Sequence, residues 1–454
     1  MANFINCLLG DVLYLKNGYA FKSSAYQKEG IPVIRISDIN NGLVSITEAV
    51  KVYHMPDGFN FLVSKGDILI AMSGATTGKF GLYDGDRVAY QNQRVGNLKL
   101  YSDEFCDKKF IYYLLFSKRR DIERTAYGGA QPNISGEKIE HVNIKFYALS
   151  EQHQIVSIIE EMFSDLDNAI ENLKKAQEQL KVYRQSILKH AFDGRITEAW
   201  RKKHNKNNER FDNLLGNLTL SSRNGFTGKP NDKKNGNPRI GITSITQSDS
   251  ICVDISKFRY MPISNEIIET YAVLKGDVMV CRQNGNKHFV GKFGVVRENV
   301  NGLIYSDSLI RFRIDTKRIL PEYLAYYCNS IVRKDIDDLC STTAGNYSIN
   351  STSIKTLNIK YYPKDEQSII VQEIESRFSV CDKMEETINS SLEQVEVLRQ
   401  SILKQAFEGK LTEEWRKENK NLISGENSAE ALLEKIKAEK EALQVKSKGK
   451  KKHD

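Results

Sequence analysis

Long apolar runs are missing from this sequence: 40% of its 454 residues are hydrophobic, yet no stretch approaches the roughly 18 that a membrane-crossing helix requires. A helical membrane protein is thereby excluded, and no membrane partner is expected. A secretory pattern is missing as well, because the apolar patch from Phe4 to Leu9 has no basic lead and stops at Gly10 and Asp11. A cytoplasmic protein is expected. The seven cysteines include no CxxC pair and share no metal-ligand spacing with the seven histidines, so they read as reduced core thiols, with no metal site. Nucleotide-binding signatures also fail. GATTGKF at 74–80 has three residues, not four, between its glycine and its Gly-Lys pair, and phenylalanine follows, which departs from a phosphate loop twice. No GxGxxG opens a strand-to-helix unit, and His54, His141, His153 and His288 lie far apart with no nucleophile motif nearby. No catalytic residue and no cofactor are expected on this chain.

What is present is a duplication. RQSILK occurs at Arg184–Lys189 and again, letter for letter, at Arg399–Lys404. The frame extends without gaps from Glu151 and Gln152 against Glu366 and Gln367 down to AFDGRITEAWRK (191–202) against AFEGKLTEEWRK (406–417). The two tryptophans of the chain, Trp200 and Trp415, occupy equivalent places. Within this frame Ile155, Ile159, Met162, Leu166, Ala169, Leu173, Ala176, Leu180, Tyr183 and Ile187 alternate in steps of four and three, the seam of a heptad repeat. Ile370, Ile374, Cys381, Met384, Ile388, Val395, Leu398 and Ile402 follow the same frame, interrupted at Arg377 and Ser391. Each segment predicts a helix of about 40 residues, roughly 60 Å long. The simplest burial for two such seams is against each other. Gly194 and Gly409 stand where each helix should end.

The segments before each helix match more loosely. IPVIRISDI (31–39) resembles NPRIGITSI (237–245), and both alternate as half-buried strands do. KGDILIAMSG (65–74) resembles KGDVMVCRQNG (275–285), GKFG recurs at 78–81 and 291–294, and NIKF (143–146) resembles NIKY (358–361). Offsets between the copies grow from 206 at Leu8 and Leu214 to 215, so insertions fell between common elements. Rigid strands with divergent loops suit two copies of one scaffold that recognise different targets. Short strands, Gly/Asn-rich loops and predicted helices at 110–126 and 322–339 make each copy α+β. Five segments result: a domain over 1–150, a long helix over 151–205, a second domain over 206–363, a second helix over 364–420, and a tail over 421–454. The tail predicts a helix from AEALLEKIKAEKEAL (429–443), then a disordered run, KSKGKKKHD.

This order resembles the specificity subunits of bacterial type I restriction-modification systems over essentially the whole chain. The resemblance rests on the two RQSILK…AF(D/E)G(R/K)(I/L)TExWRK blocks, on Gly66–Ile68 and Gly276–Val278, and on SAEALLEKIKAEKE in the tail. It implies a pseudo-twofold chain with two globular target-recognition domains, each reading one half of a bipartite site in double-stranded DNA. It also implies an antiparallel coiled coil that sets the gap between the half-sites. The implied partners are two DNA adenine methyltransferase subunits and the restriction subunits. S-adenosylmethionine, ATP and magnesium would belong to those partners. The asparagine-proline-proline-aromatic run that such methyltransferases carry is absent here.

A formal net charge of +8 and a pI near 8.8 suit a polyanion. Base reading in the major groove needs paired donors and acceptors, Arg or Lys for guanine and Asn or Gln for adenine, while other cations hold phosphates. In the first domain the loops 72–81, 89–94 and 126–133 offer Lys79, Gln91, Asn92, Gln93, Arg94, Gln131 and Asn133. In the second domain the candidates are Arg282, Gln283, Asn284, Asn286, Lys287, His288 and Lys292, with Tyr305, Asn346 and Tyr347. Arg35 and Arg239 sit within or just after the matched strands and could reach out from the sheet. GKFG reads equally as a tight strand connection whose phenylalanine fills the core. Two other functions compete: a coiled-coil scaffold that binds proteins without DNA specificity, which would lack salt-sensitive duplex binding, and an independent methyltransferase, which would bind its cofactor alone.

Overall fold

The computed structural model describes the chain except residues 1–3, 41, 57, 75, 127–133, 230–234, 248–249, 344 and 451–454. Two compact units result, one formed by Met1–Asn172 with Ser391–Asp454 and the other by Leu173–Ser390. Each therefore combines one globular domain with part of both long helices. Those helices are Leu149–Phe192 and Lys364–Phe407, each 44 residues, or about 66 Å at 1.5 Å per residue. Neither contains glycine or proline, and each is followed by a glycine at positive φ, 84° at Gly194 and 77° at Gly409, where a Cβ would be strained.

Within each unit the helices run antiparallel, and the contacts repeat the sequence duplication. In the second unit Gln177 Nε2 donates to Asn389 Oδ1 at 2.9 Å. Arg184 donates to Asp382 at 2.6 Å and to Glu385 at 3.1 Å, its guanidinium lying 5.3 Å from the Phe378 ring centre. In the first unit the matching Arg399 donates to Asp167 and lies 5.0 Å from the Phe163 ring. Several expected seam positions turn outward: Met162, Tyr183, Met384 and Leu398 are exposed. The strict 3.5-residue repeat overextends a helix of 3.6 residues per turn, and the neighbouring Phe163, Arg184, Phe378 and Arg399 carry the contact with aromatic-guanidinium pairs instead.

The longest sequence match acquires its meaning in a second repeated set. Glu151 is fully buried, accepts from Thr412 Oγ1 at 2.7 Å and pairs with Arg416 Nε at 3.3 Å. In the second unit Glu366 accepts from Thr197 Oγ1 at 2.6 Å and pairs with Arg201. Burial raises the Glu151 carboxyl above its ordinary range, opposed by Thr412 and Arg416. Gln152 and Gln367 clamp the adjoining chain, their amides donating to Tyr147 O and Tyr362 O at 2.8 Å each. Tyr147 and Tyr362 in turn donate to Phe407 O and Phe192 O. The glutamate that opens one helix thus binds the Thr-x-x-x-Arg that follows the other.

The first domain holds a six-stranded sheet whose middle is Val95–Leu100, Ile68–Ala71 and Phe80–Leu82, a four-stranded sheet containing Ile31–Ile34 and Ala89–Gln91, and the pair Phe4–Leu8 with Asn143–Tyr147. Matching strands in the second are Leu309–Ile314, Val278–Cys281 and Phe293–Val295, then Asn237–Ile240 with Ile304–Tyr305, then Phe211–Leu214 with Asn358–Tyr361. The expected continuous strand at 31–39 is broken: Ile36–Asp38 is a 3-10 turn, with the Arg35 N–H bonded to Asp38, and in the copy Thr243–Thr246 is a helical turn. The helix expected over 322–339 is two, Pro321–Ser330 and Arg333–Asp338. The terminal helix, Ala429–Lys450, continues into the lysine run that was expected to be disordered, whose last residues lie outside the description. All seven cysteines are free, but Cys252 is exposed and Cys7 and Cys340 are half-buried, so the core-thiol expectation fails for these three.

Candidate nucleic-acid interface

In the second unit the strand Val278–Cys281 ends at Arg282, whose N–H donates to Ser308 O at 2.8 Å and whose C=O accepts from Ile349 N–H at 2.9 Å. That anchor brings two loops together. Gln283–Asn284 pairs with Tyr347–Ser348, and Ser341–Thr343 adds a third short strand. Beyond it, Asn284 Oδ1 accepts from the Asn286 N–H at 2.9 Å and Asn286 Oδ1 accepts from the His288 N–H at 3.0 Å, which folds Lys287–Phe289 into a capped turn. Arg282, Asn284, Lys287, His288, Asn346 and Tyr347 are thereby gathered on one surface, with Lys287, His288 and Asn346 exposed. Lys292 is half-buried in the following turn, its N–H bonded to Phe289 O at 3.2 Å.

The first unit repeats the anchor: Met72 N–H donates to Arg94 O and Met72 O accepts from Ile134 N–H, both at 2.9 Å. Asn92 N–H donates to Ile34 O at 3.1 Å, as Ser306 N–H does to Ile240 O at 3.0 Å. This sets Asn92, Gln93 and Arg94 beside Arg35, with Gln93 and Arg94 exposed. Lys79 is half-buried in a turn closed by its own N–H to Thr76 O at 3.0 Å. Gln131 and Asn133 lie outside the described residues.

Three expected readers face inward instead. Gln91 is fully buried, and its amide donates to Lys16 O at 2.7 Å and Val95 O at 2.6 Å, so it ties strands together. Tyr305 is buried, donates to Arg223 O at 3.1 Å, and has its phenol pushed up to about 12 by burial. Arg239 is buried, donates to Phe226 O at 3.0 Å and lies 3.6 Å from Asp307; burial lowers its pKa and Asp307 opposes the change. In each case an internal carbonyl has claimed the donor.

Tyr19 escaped the sequence reading. Its N–H donates to Gln91 O and its C=O accepts from Gln93 N–H, both at 2.9 Å, so the ring stands beside Asn92 and is 40% exposed. Phe21, Phe59 and Phe61 hold that ring at centroid distances of 5.0, 5.3 and 5.5 Å. Phe226 occupies the same place in the second unit, its N–H bonded to Tyr305 O at 2.9 Å. The available signal was Asn-Gly-aromatic, repeated at Asn17-Gly18-Tyr19 and Asn224-Gly225-Phe226. Glycine is required there because a Cβ at Gly18 would collide with Asn92 O and one at Gly225 with Ser306 O.

A family described as the type I restriction modification DNA specificity domain matches residues 4–182 and 218–394. The chain belongs to that family. It is similar to the specificity subunit of the type I restriction enzyme EcoKI of Escherichia coli K12, 32% identical over 94% of this chain and 90% of the relative. It is likewise similar to the StySPI specificity subunit of Salmonella potsdam, 32% identical over 91% and 89%. A chain in a solved structure concerned with complex assembly and conformational transition of the type I restriction-modification system shares the fold, with a TM-score of 0.66 at 16% identity over 90% of this chain and 99% of that one. The two matched regions of this specificity chain each contain one anchor and one Asn-Gly-aromatic turn.

Proposed function

We propose that the chain is the DNA sequence-specificity subunit of a type I restriction-modification complex, its two recognition domains, within 1–150 and 206–363, each reading one half of a bipartite duplex site. The long helices set the gap and dock two adenine methyltransferase subunits, and restriction subunits join that core. S-adenosylmethionine, ATP and magnesium are bound by those partners, in the cytoplasm where the DNA lies. One observation carries the reading: the two domains share their backbone anchors yet present different side chains at them. Asn92, Gln93 and Arg94 of the first stand where Ser306, Asp307 and Ser308 stand in the second. A fixed frame with exchanged polar side chains is what two different half-sites require. Among the described residues no helix is long and apolar enough to cross a membrane.

Duplex binding by the chain together with its methyltransferase, measured between 50 and 200 mM salt, tests this reading. For about 6–10 phosphate contacts the affinity falls by about 10³–10⁵ over that range. Salt-independent association, or no DNA binding by an intact complex, would favour the protein-scaffold reading. Tyr19→Ala is expected to relax discrimination at one position of a single half-site, by about tenfold to a hundredfold, since a good base contact discriminates by about 1–3 kcal/mol. Competition binding with singly substituted duplexes measures it. Equal loss for every sequence would make Tyr19 a phosphate or packing residue.

A further inference from the structure

Both units keep a cation just ahead of the Asn-Gly-aromatic turn. In the first unit the strand Leu13–Asn17 runs into the turn at Tyr19, and Lys16 is paired in register with Asn97 of Val95–Leu100. In the second, Thr219–Asn224 runs into the turn at Phe226, and Arg223 is paired with Arg311 of Leu309–Ile314. Lys16 and Arg223 thus hold one position, each followed by Asn-Gly-aromatic. Each also lies against a ring that touches the turn aromatic. Lys16 Nζ is 5.9 Å from the Phe61 ring centre, which is 5.5 Å from that of Tyr19. The Arg223 guanidinium is 5.6 Å from the Tyr271 ring centre, which is 5.3 Å from that of Phe226. Phe61 and Tyr271 are themselves matched, opening FLVSKGD (61–67) and YAVLKGD (271–277).

Charge does not balance around either cation. The buried aspartates that end those runs pair with a different residue: Asp67 accepts from Lys99 Nζ at 2.6 Å, and Asp277 from Arg313 Nε at 3.1 Å. Among the described residues Lys16, Arg223 and Arg311 pair with no carboxylate. Arg311 is buried, donates to Ala272 O and leaves its Nε without a hydrogen-bond partner. Burial lowers its pKa, Arg313 and Arg223 add to the lowering, and Tyr305 and Asp277 oppose it. Burial lowers that of Lys16 as well, with Lys99 adding and Asp67 opposing. Donors remain available: Lys16 Nζ spends one of three on Asn60 O, and the exposed Arg223 guanidinium spends none of its five on the described residues. A desolvated cation without a counter-charge is costly, and a bound anion offsets that cost.

We propose that Lys16 and Arg223 each hold one backbone phosphate of the DNA duplex beside the turn aromatic of their own unit, with Arg311 and Arg313 adding to the field at Arg223. The proposal rests on the DNA-reading function above and assigns the groups that place each half-site. The units differ at their readers, Asn92, Gln93 and Arg94 against Ser306, Asp307 and Ser308, yet both keep a cation here. That is the division expected between contacts that specify and contacts that position. The second unit gathers three guanidinium groups, Arg223, Arg311 and Arg313, around Asp277, whereas the first gathers Lys16 and Lys99 around Asp67. Arg223 therefore holds its phosphate more tightly than Lys16.

The test uses the full chain with its methyltransferase and labelled duplexes that carry the methylated site or one substitution within it. Arg223→Ala and Lys16→Gln, the latter keeping a donor for Asn60 O, are each expected to weaken binding to every duplex by the same factor. Each also lowers the slope of log K against log salt by about 1, and the methylated motif stays the same. Arg223→Lys, which keeps the charge, retains the wild-type slope. Lys317→Ala, at an exposed lysine beyond the far end of Leu309–Ile314, serves as the control and leaves the slope unaltered. Arg223 is exposed, so its variant keeps the fold, which unchanged circular dichroism verifies. A steep wild-type slope that Arg223→Ala leaves unchanged would overturn this proposal alone and make the cation a packing group. Weakening confined to particular substituted duplexes would overturn it too, making Arg223 a base reader. Salt-independent binding by the wild-type complex would overturn both this proposal and the DNA-reading function beneath it.

Discussion

Arg416→Ala is expected to lower the unfolding free energy of the first unit by about 3–5 kcal/mol, since removing one partner leaves the other as an uncompensated buried charge. Glu151 has no exposed side-chain surface, and Arg416 is its cation, with Thr412 the remaining hydrogen-bond donor. The pH dependence follows from the raised carboxyl. A folded-state pKa above the unfolded value means that folding is penalised once the group is ionised and that the penalty fades as pH falls through the folded pKa. Without Arg416 the folded pKa rises further. The difference between variant and wild type is therefore largest at neutral pH and shrinks under mild acid. Urea denaturation at several pH values measures it. Lys108→Ala, which removes an exposed pair with Asp103 in the same unit, serves as the control at about 0–1 kcal/mol. Equal effects of the two substitutions would show that the Glu151–Arg416 pair is not buried in solution.

The second large effect concerns the gap. Four residues added to each long helix, in the first between Asp167 and Arg184 and in the second between Asp382 and Arg399, extend each by about one turn, or 6 Å. Both sets of Arg–Asp contacts survive, because each lies wholly on one side of the insertion. The recognised site is expected to keep both half-sites and to lengthen its gap by about one or two base pairs at 3.4 Å per pair. Binding to a panel of duplexes with different gaps measures the change. A lengthened helix pair with an unchanged preferred gap would remove the helices from the role of ruler.

The helices and the duplication were legible because their signals are local and repeated: an exact RQSILK pair, a glycine stop after each long helix, and one shared heptad frame. The partnership of Glu151 with Arg416 and of Glu366 with Arg201 was visible only as an unexplained extent of matching, since a contact between residues 265 and 165 apart has no local signature. The recognition loops were legible in position but not in orientation. Gln91 and Asn92 are neighbours of similar chemistry, and period-two alternation at the end of a strand sends one inward and the other outward; sequence alone does not say which. Arg239 and Tyr305 face inward too, each satisfied by a main-chain carbonyl, of Phe226 and of Arg223. Tyr19 lies outside the three loops of the first domain that are rich in amides and cations, and its signal, the repeated Asn-Gly-aromatic turn, is carried by glycine.

Co-expressing the chain with its methyltransferase and mapping N6-methyladenine across host DNA by single-molecule sequencing tests the central claim most directly. A split motif is predicted, with one modified adenine on each strand, absent when the chain is omitted. Methylation at the same sites without the chain, or none at all from a soluble and associated complex, would contradict a role in sequence recognition.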